Sequence, residues 1–242
     1  SAGLVPRHAA ITHPRFLCIG SRGQRQNRAD YLRAWATGFH PDVIIYWDLR
    51  DEDIALHGDV LGAAALGVRN VLCLTGDDVS QGDHPEAKPV FDLDAVNLLH
   101  ILRGMSERGE YASGRRLEQA PRLFLGATAN PFVPPYADRV ANLERKIDTG
   151  ARFIQTQFCF DLGLIEDFMR EVRARGLHER AAIIVGVGTL ASAKALRWMA
   201  EHVPGVHVPQ AVTERIAAAA DQKAEGQRVA IETIHALRRI EG

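Results

Sequence analysis

Along this chain, short and continuously apolar runs alternate with longer segments whose apolar positions recur every three or four residues. The short runs are Phe16–Gly20, Val43–Asp48, Val71–Thr75, Leu123–Thr128, Phe153–Gln157 and Ile183–Val187. Turn residues bound each of them, and an apolar run without polar alternation reads as a parallel strand covered on both faces. The longer segments read as helices: Ala29–Thr37, Asp51–Leu66, Leu93–Arg108, Tyr136–Thr149, Leu164–Arg175 and Ser192–Glu201. A helical tail follows, Gln210–Ala220 and Gln222–Ile240. The stretch Asp94–Arg103 shows the amphipathic spacing most plainly. Gly67, Gly150 and Gly176 each stand just past a helix, where a left-handed cap is common. Repeated β/α units predict an α/β fold, either a (β/α)8 barrel or a doubly wound sheet. No GxGxxG follows a strand and no GxxxxGK[ST] occurs, which weighs against a dinucleotide-binding Rossmann domain and a P-loop. Gly109–Gln119 is loop-like in composition but too short to link two domains.

Composition narrows the function classes. The formal net charge is −1 at pH 7, so no basic field supports nucleic-acid binding. The longest apolar runs, such as Val60–Val68, are too short and too rich in Gly and Ala to span a bilayer. No secretory pattern opens the chain, so a cytoplasmic protein without membrane contact is expected. The 3 cysteines, Cys18, Cys73 and Cys159, lie far apart in apolar stretches and read as buried free thiols. The 10 histidines form no HxxxH or HxH, and no metal site is expected.

Polar residues gather where the apolar runs end: Asp48, Thr75-Gly-Asp77, Thr128-Ala-Asn130 and Gln155-Thr-Gln157. In a barrel those ends form the active-site face, and this placement marks the chain as an enzyme. The Asp77 carboxylate at a strand end suits a heterocycle with N–H donors, or it caps the next turn. Asn142, Arg145 and Lys146 fall at i, i+3 and i+4 on one helix face. They read as a diphosphate clamp or as a solvated face. Gln155 and Gln157 point to one side of their strand, where an amide reads a pterin edge or joins a structural network. Gly186 and Gly188 permit close approach to a strand end, and Leu190 offers an apolar contact to a ring. Trp198 and Met199 read as core.

These stretches carry a family resemblance. Leu66-Gly-Val-Arg-Asn-Val-Leu-Cys-Leu-Thr-Gly-Asp77 resembles the strand-4 motif of methylenetetrahydrofolate reductases. Gly-Asp-His-Pro, Ala-Lys-Pro-Val-Phe-Asp-Leu-Asp, Ala-Asn-Pro-Phe, Asn-Leu-Glu-Arg-Lys-Ile-Asp-Thr-Gly-Ala, Phe-Ile-Gln-Thr-Gln and Pro-Gly-Val-His-Val-Pro follow in the family's order. The resemblance implies a (β/α)8 barrel of the TIM type, one domain over residues 1–242 with a divergent segment at 1–41. It implies FAD at the strand C-terminal ends, NADH or NADPH as co-substrate, and hydride transfer between 5,10-methylene- and 5-methyl-tetrahydrofolate. By motif, Asp77 matches the aspartate near flavin and pterin, and Gln157 the glutamine that contacts substrate; these are the catalytic candidates. Thr75, Gly76, Phe91, Asn130, Asn142, Arg145 and Lys146 match cofactor-contacting positions, with Thr75 in place of an arginine and Asn130 in place of a tyrosine. Leu190 stands where some relatives stack a phenylalanine on the ligand.

The chain also departs from the pattern. The family opens with a strand bearing a Glu-Phe-x-Pro-Pro-like motif whose glutamate is the presumed general acid, and no glutamate precedes Glu52 here. Asp48-Leu-Arg-Asp-Glu-Asp-Ile-Ala-Leu56 stands where relatives read Cys-Arg-Asp-Arg-Asn-Arg-Ile-Ala-Leu. First and last barrel strands find no counterpart, which leaves three explanations: a shortened chain, an N-terminal segment that rebuilds the wall, or a partner that completes the barrel. The functional alternatives are a partner-dependent folate- or flavin-binding subunit and a flavin-independent reductase. A homo-oligomer is a further expectation, from the apolar surface of the tail helices.

Overall fold

The structure is a computed structural model that describes residues 16–19, 43–46, 53–75 and 94–242. The chain forms two compact units, Ser1–Ala127 with Asp148–Arg152, and Thr128–Ile147 with Phe153–Gly242. The expected helix Ala29–Thr37 lies outside the described residues.

In the first unit, strands β1 (Phe16–Ile19), β2 (Val43–Tyr46), β3 (Asn70–Cys73) and β4 (Phe124–Ala129) pair in chain order. Every pairing is parallel, with Val43 opposite Asn70 and Asn70 opposite Phe124. Helix α1 (Asp53–Ala65) connects β2 to β3, and α2 (Ala95–Arg103) lies between β3 and β4. A parallel neighbour needs such a crossover, which is why the apolar runs alternate with amphipathic segments. Leu98, Leu99 and Leu102 of α2 are fully buried, the face that its spacing predicts. Asp94 caps α2 by accepting the Asn97 N–H at 2.7 Å. The expected helix Leu93–Arg108 is α-helical only to Arg103; Gly104–Arg108 form a π turn closed by Gly109 at φ 66°. There Ser106 Oγ accepts the Leu123 N–H at 3.1 Å. Gly109–Gln119 is an ordered loop: Glu110 bridges Arg116, and Ala112 N–H donates to His57 Nε2 at 3.4 Å. His57, inside α1, is therefore a buried partner of this loop.

In the second unit, β5 (Phe153–Phe158) and β6 (Ala182–Gly186) pair in parallel, with an irregularity after Gln155. Helices α3 (Tyr136–Thr149), α4 (Leu162–Ala174), α5 (Ala193–His202), α6 (Gln210–Ala217) and α7 (Gln222–Leu237) complete it. Asp161, Ser192 and Asp221 cap α4, α5 and α7 with side-chain oxygens. Ile165, Phe168, Met169 and Val172 make the buried stripe of α4. Leu190, Ala193, Leu196 and Ile216 form a separate core cluster, packed by Phe160, Val208, Val212 and Val229.

Two expectations need correction. Strand β6 is not covered on both faces, since Ile184 is 40% exposed, and its outer edge also has no strand partner among the described residues. Trp198 is not core; it is 56% exposed on α5 and stacks on His202 one turn away. An apolar 3–4 spacing does not tell which side of a short helix receives a neighbour. The chain otherwise has the α/β fold of a partial barrel of the TIM type, with parallel strands and alternating helices.

An ionic clamp joins α6 to α7. Arg215 donates to Glu225 at 2.7 Å and to both oxygens of Glu232 at 2.7 and 2.9 Å, and Arg228 also pairs with Glu225. The Arg215 hydrogen bonds hold both carboxyls below the usual carboxylate range and push the guanidinium further up. A carboxyl lowered on folding stabilises above its ordinary value, about 4.3, and that stabilisation is lost as pH falls through the folded value. Arg215→Ala is therefore expected to lower the melting temperature at neutral pH and to flatten its fall on acidification. A wild-type acid limb in that variant would show that the clamp contributes nothing to acid stability.

Candidate functional site

The strand ends of the second unit bring several of the predicted residues together. Thr128 and Ala129 close β4, Gln157 lies at the end of β5, and Gly186 closes β6. Lys146, half-buried on α3, reaches from the helix to donate from Nζ to the Thr128 carbonyl at 2.7 Å. Asn142 is half-buried and Arg145 exposed on the same helix. The i, i+3, i+4 spacing thus sets one amide and two cations along one face.

Asn130 spans two segments. Its Oδ1 accepts the Phe132 N–H at 3.1 Å and its Nδ2 donates to the Gly205 carbonyl at 2.8 Å. Gln157 is arranged similarly: Oε1 accepts the Phe158 N–H at 3.0 Å and Nε2 donates to the Pro204 carbonyl at 3.4 Å. Thr156, its buried neighbour, points the other way and accepts the Gly186 N–H at 3.1 Å. Gly186 permits that approach, since a Cβ there would sit 3.1 Å from the Thr156 and Gln157 carbonyl oxygens. A Cβ on Gly188 would sit 3.4 Å from the Phe158 ring.

Leu190 takes a different place from the one its motif suggests. It is 4% exposed within the Leu196 and Ile216 cluster, so its side chain packs the core. Its carbonyl lies against Gly226 of α7. In the first unit, Thr75 is exposed and its Oγ1 accepts the Ala95 N–H at 3.1 Å. Gly76, Asp77 and Phe91 lie outside the described residues, as does Asp48.

Sequence reasoning did not single out His207 or Asp161. His207 Nε2 lies 3.6 Å from Asp161 Oδ2, an ion-pair contact when the ring is protonated. An Asp immediately before an amphipathic helix signals an N-cap, which Asp161 is; nothing in the sequence signals its second partner. Cys159, two residues before it, donates from Sγ to the Asp161 carbonyl at 3.6 Å. Burial pushes this thiol up to about 11, partly offset by that hydrogen bond, so it is a poor nucleophile at neutral pH. Cys73 and Cys159 are both buried, and neither is in a disulfide. Among the described residues, no cluster of three or more His, Cys, Asp or Glu could hold a metal ion. No helix among them is long and apolar enough to cross a membrane.

Comparison with known proteins adds three findings. A Caenorhabditis elegans protein described as a probable methylenetetrahydrofolate reductase (NADPH) is 26% identical over 157 residues. That match covers 63% of this chain and 21% of the relative, so the chain spans about a fifth of that protein's length. A solved Clostridium thermocellum protein, described as binding two copies of 5-methyl-5,6,7,8-tetrahydrofolic acid, shares the fold at a TM-score of 0.50 and 14% identity. The likeness covers 93% of this chain and 81% of that one. The sequence profile of methylenetetrahydrofolate reductase matches residues 49–240, most of the chain, and the chain belongs to that family.

Proposed function

We propose that the chain is a folate oxidoreductase that interconverts 5,10-methylene-tetrahydrofolate and 5-methyl-tetrahydrofolate, with FAD bound and NADH or NADPH as co-substrate. Family membership supports the reaction class. The observation that carries the reading is the grouping of Asn130, Gln157 and the Lys146–Thr128 contact within one unit.

The residues present fit a dinucleotide cofactor. Asn142, Arg145 and Lys146 provide a neutral donor and two cations along one helix face, the donor set a diphosphate needs. Asp77, Thr75, Gly76 and Phe91 are assigned to the cofactor by motif, and Asn130 with them. FAD, when bound, supplies hydride acceptance from the nicotinamide and hydride delivery to the one-carbon unit. Gln157 reads the pterin edge, since its amide both donates and accepts; to do so it exchanges the long Pro204 contact for the ligand. Leu190 serves the site by fixing the backbone after β6. The reading also places the chain in a reducing cytoplasm, where Cys73 and Cys159 stay thiols.

The visible absorption spectrum of the purified chain, with and without added FAD, tests the reading. A flavin band that bleaches on adding NADH, NADPH or 5-methyl-tetrahydrofolate is the expected result. Failure of all three to reduce a bound flavin would sink it. Lys146→Ala removes a charged hydrogen-bond donor worth about 1.5–3 kcal/mol, so FAD affinity is expected to fall about ten- to hundredfold. Titration of the variant by flavin fluorescence measures this.

A partner-dependent subunit is the second reading, and one observation favours it. β6 has no strand on its outer side among the described residues, and Ile184 on it is half-exposed. Such an edge accepts a strand from another chain. This reading expects FAD binding only after a second polypeptide is added.

A further inference from the structure

The loop from Pro204 to His207 is tied down at three points. Gln157 Nε2 donates to the Pro204 carbonyl at 3.4 Å, and Asn130 Nδ2 donates to the Gly205 carbonyl at 2.8 Å. The third tie is the His207–Asp161 contact at 3.6 Å. The same two amides that the proposed function assigns to ligands therefore hold the loop that carries the imidazole. Gly205 makes this possible: its φ is 76°, and a Cβ there would fall on the Asn130 amide nitrogen.

The carboxylate is fixed before it meets the ring. Asp161 Oδ1 accepts the Leu164 N–H at 3.1 Å as the cap of α4, and Oδ2 is the oxygen facing His207. One oxygen is bound to a helix end, and the other lies 3.6 Å from the ring, an ion-pair contact when the imidazole is protonated. The opposite ring nitrogen, Nδ1, has no hydrogen-bond partner among the described residues. The pair is also reachable: the side chains are 42% and 29% exposed. Other imidazoles are engaged differently. His57 is buried against Tyr111 and accepts the Ala112 N–H, and His202 bonds the Trp198 carbonyl and stacks on its ring.

We propose that His207, oriented by Asp161, is the proton-transferring residue of this site. The proposal rests on the folate oxidoreductase reading above. In the reducing direction, His207 gives the proton on Nδ1 to the bridge nitrogen of the methylene group. The bond between that nitrogen and the methylene carbon breaks, and the carbon would take the hydride that bound FAD, once reduced, would supply, giving the methyl product. The neutral ring regains its proton from solvent. In the oxidising direction Nδ1 of His207 accepts the proton as the bond to the bridge nitrogen forms, and the methyl carbon would give its hydride to oxidised FAD. Asp161 is a positioning residue: it lies against Nε2 and leaves Nδ1 for the substrate. It is the ionisable group facing the ring, and the neighbouring Cys159 thiol, up at about 11, stays neutral over the working range.

The test uses the full chain loaded with FAD, following flavin oxidation by methylene-tetrahydrofolate in single turnovers across pH. A positioned acid contributes about 10²–10⁴-fold. His207→Ala is expected to lose at least about a hundredfold of that rate, to lose the pH limb at which the wild type slows, and to regain rate when imidazole is added. Asp161→Asn keeps a capping oxygen for α4, so it folds; it is expected to lose about tenfold and to move the limb. Retention of the wild-type rate and pH limb in His207→Ala overturns the proposal while leaving the function standing. So does a loss that imidazole does not restore, which would make the ring structural. A wild-type protein whose reduced flavin is not oxidised by the folate overturns both.

Discussion

Gly226→Ala is expected to destabilise the chain by about 3 kcal/mol, the upper range for overpacking a tight contact. At an exposed helix position the same change would stabilise by about 1 kcal/mol, because alanine is the better helix former. The sign reverses here because Gly226 of α7 packs backbone against backbone. A Cβ would overlap the Leu190 carbonyl oxygen and sit 2.9 Å from its carbon and 3.2 Å from its Cβ. Neither side yields cheaply. Leu190 is locked in the cluster with Leu196 and Ile216, and the first turn of α7 is held by the Glu225 ion pairs and the Asp221 cap. The helix must shift, and with it the segment that follows β6. Urea denaturation measures the effect; an unchanged or raised midpoint would mean that the close approach does not exist in solution.

The second large effect is expected at Gly205. Gly205→Ala places an L side chain at φ 76°, which costs about 1–2 kcal/mol, and drives a Cβ into the Asn130 amide. That amide cannot swing aside without giving up its bonds to the Gly205 carbonyl and the Phe132 N–H, each worth about 1 kcal/mol. The loop carrying His207 lifts from the strand ends. Asn130→Ala removes the obstacle. Combined with Gly205→Ala it is expected to cost about 1 kcal/mol less than the sum of the single changes, whereas independent sites add within about 0.5 kcal/mol. Strict additivity in a double-mutant cycle would show that the two residues do not meet.

Much of the fold is legible in the sequence because it follows from local rules. Continuous apolar runs mark β3 to β6 to within a residue or two, and the 3–4 spacing marks α3 from Tyr136 to Thr149. Gly67, Gly150 and Gly176 adopt the positive φ expected after a helix. Periodicity could not show that Leu93–Arg108 changes to a π turn after Arg103, since the cause is not in the spacing. It could not show that Trp198 faces outward or that β6 keeps an open edge, because both depend on which element lies alongside.

The candidate site divides the same way. The strand-end and helix-face positions of Asn130, Gln157 and Lys146 were readable because strands and helices have fixed periods; their site roles rest on the motifs of the methylenetetrahydrofolate reductase family. Their partners were not: Lys146 on the Thr128 carbonyl, Asn130 and Gln157 on the Pro204–Gly205 backbone, and Asp161 against His207. These contacts join residues far apart in the chain, and loop closure can bring such residues together in many ways at similar entropic cost. Local sterics and apolar periodicity set the alternating β/α order, the buried stripe of the helix after β3 and the glycines that end helices. The tertiary structure alone decided which carbonyls receive the site's donors, that Leu190 belongs to the core, and that an imidazole stands over a helix-capping carboxylate, because only packing selects among long-range pairings that local propensity leaves equal.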